Sequence, residues 1–216
     1  MSLADFDFIA VEGPIGVGKS SLAQRLAEHL RAEPLQEAPD ENPFLDRFYQ
    51  DPAKHALATQ LYFLVQRVRQ LTPVAQKGLF QQAHVADYLM DKDPLFAELN
   101  LAPDELEIYH EMFRRLRQGL PQPDLVIYLQ APVDVLQERI RQRGRTYERR
   151  IETAYLERLN AAYADFFYHL EGPALVIVNA TEIDWVNNPA DFDQLLQFLE
   201  PIQGGRHYFN PLPITL

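Results

Sequence analysis

Residues 13–20, Gly-Pro-Ile-Gly-Val-Gly-Lys-Ser, stand between an apolar run, Phe8-Ile9-Ala10-Val11, and a segment with Leu22, Leu26 and Leu30 at four-residue spacing. The run reads as a buried strand and the leucines as one helix face, so the glycines fill a tight strand-to-helix turn. That is the context in which G-x-x-x-x-G-K-[ST] binds phosphate. Glycines let successive backbone N–H groups curl around phosphate oxygens, and the helix N-terminus adds partial positive charge. The candidate ATP-binding residues are therefore Gly13, Pro14, Ile15, Gly16, Val17, Gly18, Lys19, Ser20 and Ser21. Lys19 would neutralise the β- and γ-phosphates, and the Ser20 hydroxyl would ligate Mg²⁺. The competing reading, a flexible turn that happens to contain lysine, does not account for the flanking strand and helix.

Strand and helix continue to alternate along the remaining chain. Pro34-Leu35-Gln36-Glu37 reads as a short second strand, Pro52–Leu71 as a long helix and His84-Val85-Ala86 as a weaker strand. Helices are predicted over 104–118, over Val133–Arg143 (stopped by Gly144), over Ile151–Leu170 and over 191–199, with buried strands at 125–129 and 174–178. The pattern predicts a three-layer α/β fold, a parallel sheet of about five strands with helices on both faces. At 216 residues, 1–216 reads as a single domain. In such sheets ligands sit beyond the C-terminal strand ends, here just after positions 11, 36, 86, 129 and 178.

Charge and composition narrow the function. A formal charge of −11 argues against a protein that coats nucleic acid, which needs a clustered basic surface. The chain has no cysteine, which excludes disulfides, thiolate metal sites and cysteine nucleophiles. The stretch MSLADFDFIAVEG shows no basic region before an apolar run, and no apolar run reaches membrane-spanning length. A soluble, cytoplasmic protein with neither a nucleic-acid nor a membrane partner is the expectation.

Five segments in order, EGPIGVGKSSLA, NPFLDRFYQDP, TQLYFLVQRVRQL, ADYLMDKDPLFA and RIRQRGRTYERRI with YLERLNAAY, resemble the bacterial deoxynucleoside kinases, the group with deoxyadenosine and deoxyguanosine kinases. The first segment is shared by many families; the asparagine-proline-phenylalanine-leucine, glutamine-to-arginine and RGR-x-x-E segments are far more specific. The resemblance implies a P-loop nucleoside kinase fold with an arginine-rich lid at about 139–150, Mg²⁺ with ATP as donor, a deoxynucleoside acceptor and a homodimer.

The same resemblance assigns roles to particular residues. Glu37, just past the second strand, matches the general base that takes the proton of the nucleoside 5′-hydroxyl; alone it would read as one acid of a solvated loop with Glu33, Asp40 and Glu41. Tyr49 and Glu148 match residues that meet the sugar 3′-hydroxyl, although Tyr49 would also serve as helix packing. Gln60 and Arg67, two turns apart on one helix face, match the residues that read the base, with Leu57, Leu61 and Leu64 nearer the core; spacing alone would make the pair a polar stripe on an exposed face. Phe96 matches an aromatic that stacks on the base, against a core phenylalanine as the plainer reading. Asp93 is matched to the acid beside Arg67, with Asp91 and Lys92 as alternatives because the spacing is one residue short.

Asp87 fits an acid that holds Mg²⁺ through water, completing a metal site with Ser20. Many relatives follow this acid with arginine and serine; here Tyr88 and Leu89 stand instead, removing a cation expected near the reacting phosphates. Arg139, Arg143 and Arg145 form a basic cluster that resembles the lid over the transferring phosphates, with Lys19 and Glu37 completing the catalytic set. NATEIDWVNNPADF resembles a segment that encloses the donor base, and GGRHYFNPLP is familial without an assigned role.

The reading is thus a kinase that moves the γ-phosphoryl of ATP to a deoxynucleoside 5′-hydroxyl, purine-preferring because the pattern is closest to purine-preferring members and glutamine suits adenine. One rival is a nucleoside-monophosphate kinase of thymidylate type, which would need cations for the acceptor phosphate; 37–67 offers Arg47, Lys54 and Arg67. The other is a nucleotide-binding member without turnover, which Tyr88 favours.

Overall fold

The computed structural model describes residues 2–76 and 82–211; Leu212 and Pro213 of the last familial segment lie outside them. Six strands, β1 (Phe8–Glu12), β2 (Glu33–Leu35), β3 (His84–Ala86), β4 (Leu125–Gln130), β5 (Ala174–Asn179) and β6 (Arg206–Phe209), form one parallel sheet in the order β2-β3-β1-β4-β5-β6. The expectation of about five strands misses β6. This four-residue edge strand pairs Leu175 with Arg206 and Val178 with Phe209. Its residues are alternately exposed and half-buried, so it carries no apolar run to announce it.

Eight α-helices are described: α1 (Lys19–Leu30), α2 (Leu45–Gln50), α3 (Pro52–Ala75), α4 (Asp93–Asn100), α5 (Pro103–Arg117), α6 (Val133–Arg143), α7 (Thr153–His169) and α8 (Pro189–Leu199). Side-chain alternation along the strands sorts the layers. Val11, Ile127, Leu129, Val176 and Val178 meet Leu22 and Leu26 of α1 and Phe192, Leu195 and Leu199 of α8. Ala10, Val126, Tyr128, Leu175 and Ile177 meet Leu156, Leu159, Tyr163 and Phe167 of α7 on the other face. Each fully buried leucine or phenylalanine contributes about 1.5–3 kcal/mol. Helices cover both faces, as the alternation of strand and helix requires.

α3 departs from its sequence reading. Its buried stripe runs through Ala56, Gln60, Leu64, Arg67, Leu71 and Val74, so the glutamine and arginine lie on the inner face, each 4% exposed. Leu57 and Leu61, expected nearer the core, are half-buried. At 3.6 residues per turn they fall on the flank of that stripe. The inner polar pair is what the helix delivers to the site.

The strand order places that site. From β1 the chain passes to one side for β2 and β3, then to the other for β4 to β6. The C-terminal ends of β1, β3 and β2 are neighbours at this reversal, a crevice where α/β sheets bind ligands.

Candidate active site

The loop after β1 adopts a conformation that glycine permits. Gly16 and Gly18 have φ of 88° and 104°. A Cβ on Gly16 would stand 2.9 Å from the Leu136 carbonyl oxygen and 2.8 Å from Ile140, so the close approach of α6 also requires glycine there. α1 starts without a side-chain cap, which leaves its first N–H groups for an anion. Lys19 Nζ donates to the carbonyls of Gly13 (2.7 Å) and Pro14 (3.2 Å), laying the ammonium across the loop mouth.

Asp87 follows β3 and is 2% exposed. It accepts from the Ser20 hydroxyl and, at 2.8 Å, from the Glu37 backbone N–H. Burial, and then the Glu37 carboxylate, raise its pKa to about 6. Ser20 and Asp87 offer oxygen donors only, which fits a hard cation such as Mg²⁺. Among the described residues no group of three or more His, Cys, Asp or Glu could hold a metal. An ion here would therefore take its remaining ligands from phosphate and water, the usual habit of Mg²⁺.

Arg67 reaches from α3 to two carboxylates. Its Nε donates to Glu37 Oε1 at 2.7 Å, with Nη2 on the same oxygen, and Nη1 meets Asp93 Oδ1. This pairing selects Asp93 among the three candidates: Asp91 is bonded to Arg117 (2.6 and 3.1 Å), and the Lys92 ammonium lies 3.4 Å from Glu12. Burial raises the pKa of Glu37, but the Arg67, Lys92 and Lys19 charges outweigh it and hold the carboxyl at about 2. Glu37 is thus an ionised carboxylate at neutral pH, and Arg67 occupies Oε1 only.

Tyr88 is wholly buried, packed with Leu64, Leu71 and Ala86 beneath the Arg67 guanidinium, 5.8 Å from its ring. The residue that replaces an expected arginine belongs to the core and does not reach toward phosphate.

The lid residues separate into two groups. Gly144, φ 74°, ends α6 as expected. Arg143 forms a fork on Glu148 (3.0 and 2.6 Å), and Arg145 lies 3.2 Å from Asp40 and 3.7 Å from Glu148. Tyr147 donates to Asp40 at 2.7 Å and stacks on Tyr49, centroids 5.9 Å apart. Arg139 is engaged elsewhere: its guanidinium donates to the carbonyls of Val17, Ala180, Thr181 and Ile183. It braces the 180–183 segment against the glycine loop, while the other two arginines turn to Glu148 and Asp40.

One cavity of about 680 Å³ joins these parts. Ile15 to Ser21, Asp87, Arg139, Arg143 and Arg145 line it together with Glu37, Tyr49, Gln60, Arg67, Phe96 and Glu148. Residues 181–187 close it on the glycine-loop side, with Trp185 buried where a Gly18 Cβ would meet its Nε1 at 3.1 Å. Gly13 and Pro14 stand behind the lining with their carbonyls on Lys19, and Asp93 stands behind Arg67. Sequence reasoning missed Glu12 and Asp40 and gave Lys92 no role of its own. A charge closing the apolar run of β1 was the available signal for Glu12.

A family model for deoxynucleoside kinases matches residues 9–202. The chain belongs to the deoxynucleoside kinase family. It is 36% identical over 193 residues to a deoxyguanosine kinase of Bacillus subtilis (87% of this chain, 93% of the relative). It is 31% identical over 195 residues to a deoxyadenosine kinase of Lactobacillus acidophilus (83% and 88%). The structure of deoxyadenosine kinase from M. mycoides with bound dATP superposes with a TM-score of 0.76 at 26% identity, covering 89% of this chain and 98% of that one. The deoxynucleoside kinase sheet, P-loop and lid segment therefore stand in a family of phosphotransferases. No described helix is long and apolar enough to cross a membrane.

Proposed function

We propose that this protein transfers the γ-phosphoryl of ATP to the 5′-hydroxyl of a deoxynucleoside, with purines preferred. The observation that carries the reading is Glu37: an ionised carboxylate, fixed through Oε1, in the same cavity as the phosphate loop. Its Oε2 is left to accept the hydroxyl proton as the 5′-oxygen bonds to Pγ. The Pγ–O bond to the β-phosphate breaks and ADP leaves. Lys19 and the loop N–H groups stabilise the donor phosphates, and Arg143 and Arg145 close over the transferring group from 139–150. Ser20 and Asp87 would hold Mg²⁺, which neutralises charge on the donor phosphates.

Gln60 and Arg67 face the base, Tyr49 and Glu148 the 3′-hydroxyl, and Phe96 the base plane, with Asp93 fixing Arg67. The purine lean rests on the deoxyguanosine and deoxyadenosine kinases among the relatives. Against a monophosphate acceptor, Arg67 is taken up by two carboxylates, and Arg47 and Lys54 are not among the described lining residues. We read 1–216 as one cytoplasmic domain. A homodimer would use α5 and α3, where Ile108, Met112 and Val65 are exposed. The test is a panel of ribo- and deoxynucleosides and their monophosphates with labelled ATP. Label in purine deoxynucleoside 5′-monophosphates is expected; turnover of pyrimidines alone overturns the base assignment, and turnover of monophosphates alone overturns the acceptor.

A further inference from the structure

Lys92 is 2% exposed and stands immediately before α4, on the cavity wall. Its ammonium lies 3.4 Å from Glu12 Oε2 and 4.6 Å from the centroid of the Phe96 ring. Glu12 is itself pinned: it accepts from the N–H of Gly13 (2.8 Å), the hydroxyl of Tyr163 (2.9 Å) and the N–H of Leu89 (2.8 Å). The carboxylate that anchors the lysine is thus tied to the first residue of the glycine loop and to α7.

A buried ammonium needs acceptors for its three N–H donors. Among the described residues Lys92 meets one carboxylate at ion-pair distance and one ring face, so its donors are not exhausted by the protein. Burial lowers its pKa; the Glu12 and Glu37 carboxylates oppose the fall, and the Arg67 and Lys19 charges add to it. An ion pair kept only for the fold gains little over an apolar pair of the same volume. This one lies on the wall of the cavity that the glycine loop and Glu37 also line, where the proposed transfer would make a dianionic phosphate. The cation expected after Asp87 is absent, since Tyr88 is sealed in the core, and Lys92 brings a charge to the same cavity from the start of α4.

We propose that Lys92 is a catalytic cation of the transfer: held by Glu12, its ammonium donates to the acceptor 5′-oxygen and then to the phosphoryl group that this oxygen receives. The proposal rests on the nucleoside kinase reading. The hydroxyl proton goes to Glu37, the O5′–Pγ bond forms, the Pγ–O bond to the β-phosphate breaks with its electron pair leaving on ADP, and Lys92 stays protonated throughout.

The experiment compares wild type, Lys92→Met and Lys92→Arg in steady-state turnover of the best nucleoside, in binding of that nucleoside and of its 5′-monophosphate, and in thermal melting. Lys92→Met is expected to lower kcat about 10²-fold, the usual effect of removing one donor to a developing charge. It should weaken the 5′-monophosphate about tenfold or more while leaving nucleoside affinity within about threefold. Lys92→Arg should restore most of both. If Lys92→Met melts below the assay temperature, Lys92→Gln, which keeps a donor for Glu12, is read in its place. Unchanged turnover, or equal loss of nucleoside and monophosphate binding, overturns the role and leaves Lys92 a structural partner of Glu12. A wild type that phosphorylates no nucleoside is instead a failure of the kinase reading, so the two failures are distinguishable.

Discussion

At the glycine-loop end of the cavity, residues 15–21 line the wall and would meet phosphate through backbone N–H groups, one lysine and one hydroxyl, all from a single turn and the helix it starts. At the opposite end, Glu12, Arg67, Asp87, Lys92 and Asp93 are buried and Glu37 is half-buried; they arrive from the ends of three strands and from two helices, and Glu12, Glu37 and Asp93 pair with Lys92 and Arg67. Backbone dipoles held by turn geometry keep their strength whatever the neighbouring side chains do. Buried charges do not, because each compensates another and removal of one leaves its partner unpaired. Substitutions at the glycine-loop end, the proposed donor end, should therefore cost rate with little stability, and those at the opposite, proposed acceptor end should cost both.

The largest effect tests the donor half. Lys19→Met should lower kcat about 10³-fold or more, with a melting temperature close to wild type, since Lys19 leaves no buried carboxylate unpaired. A melting loss as large as that of Arg67→Met would erase the contrast between the ends. Arg67→Met is next: with its guanidinium 5% exposed and bridging Glu37 and Asp93, its loss should cost about 3–5 kcal/mol, a drop of about 6–20 °C. Adding Asp93→Asn should cost less than the sum of the two single changes.

The pH dependence sharpens the comparison within the acceptor end. Asp87, raised to about 6 from 3.8, contributes stability that is present below 3.8 and lost as pH rises through 6. Glu37, lowered to about 2 from 4.5, contributes stability present above 4.5 and lost only as pH falls toward 2. Of these two carboxylates it is Asp87 that titrates between about pH 5 and pH 7, and a Mg²⁺ held there would need it ionised. Thermal stabilisation by Mg–ATP should accordingly be larger at about pH 7 than at about pH 5, and Asp87→Asn should flatten the difference. The smallest effect is at the lid: Asp40→Asn removes an exposed partner of Arg145 and Tyr147 and should cost under about 1 kcal/mol in melting, with kcat/KM falling less than about fivefold.

The same division explains how much the sequence discloses. Gly13 to Ser21 are contiguous, so spacing alone carries both their conformation and their chemistry. β4 and β5 are apolar runs buried on both faces and equally plain. β6 is not, because an edge strand of Arg-His-Tyr-Phe buries too little to show a run. The acceptor charges are legible only through family likeness, since nothing local to Gln60 or Arg67 says that a polar pair lies on the inner face of α3. Lys92 is hidden further: its partner Glu12 is 80 positions away in sequence (92 minus 12), and only the meeting of the β1 end with the α4 start joins them. Arg139, Arg143 and Arg145 look alike in RIRQRGR, yet the backbone carbonyls of 180–183 claim the first and Glu148 and Asp40 the others.

The proposed mechanism turns on Glu37 as the group that would deprotonate an unphosphorylated 5′-hydroxyl, and single-turnover transfer from labelled ATP in Glu37→Gln tests this most directly. Transfer is predicted to slow by about 10²–10⁴-fold while ATP still binds. A variant that transfers label within a few-fold of the wild-type rate would contradict that role.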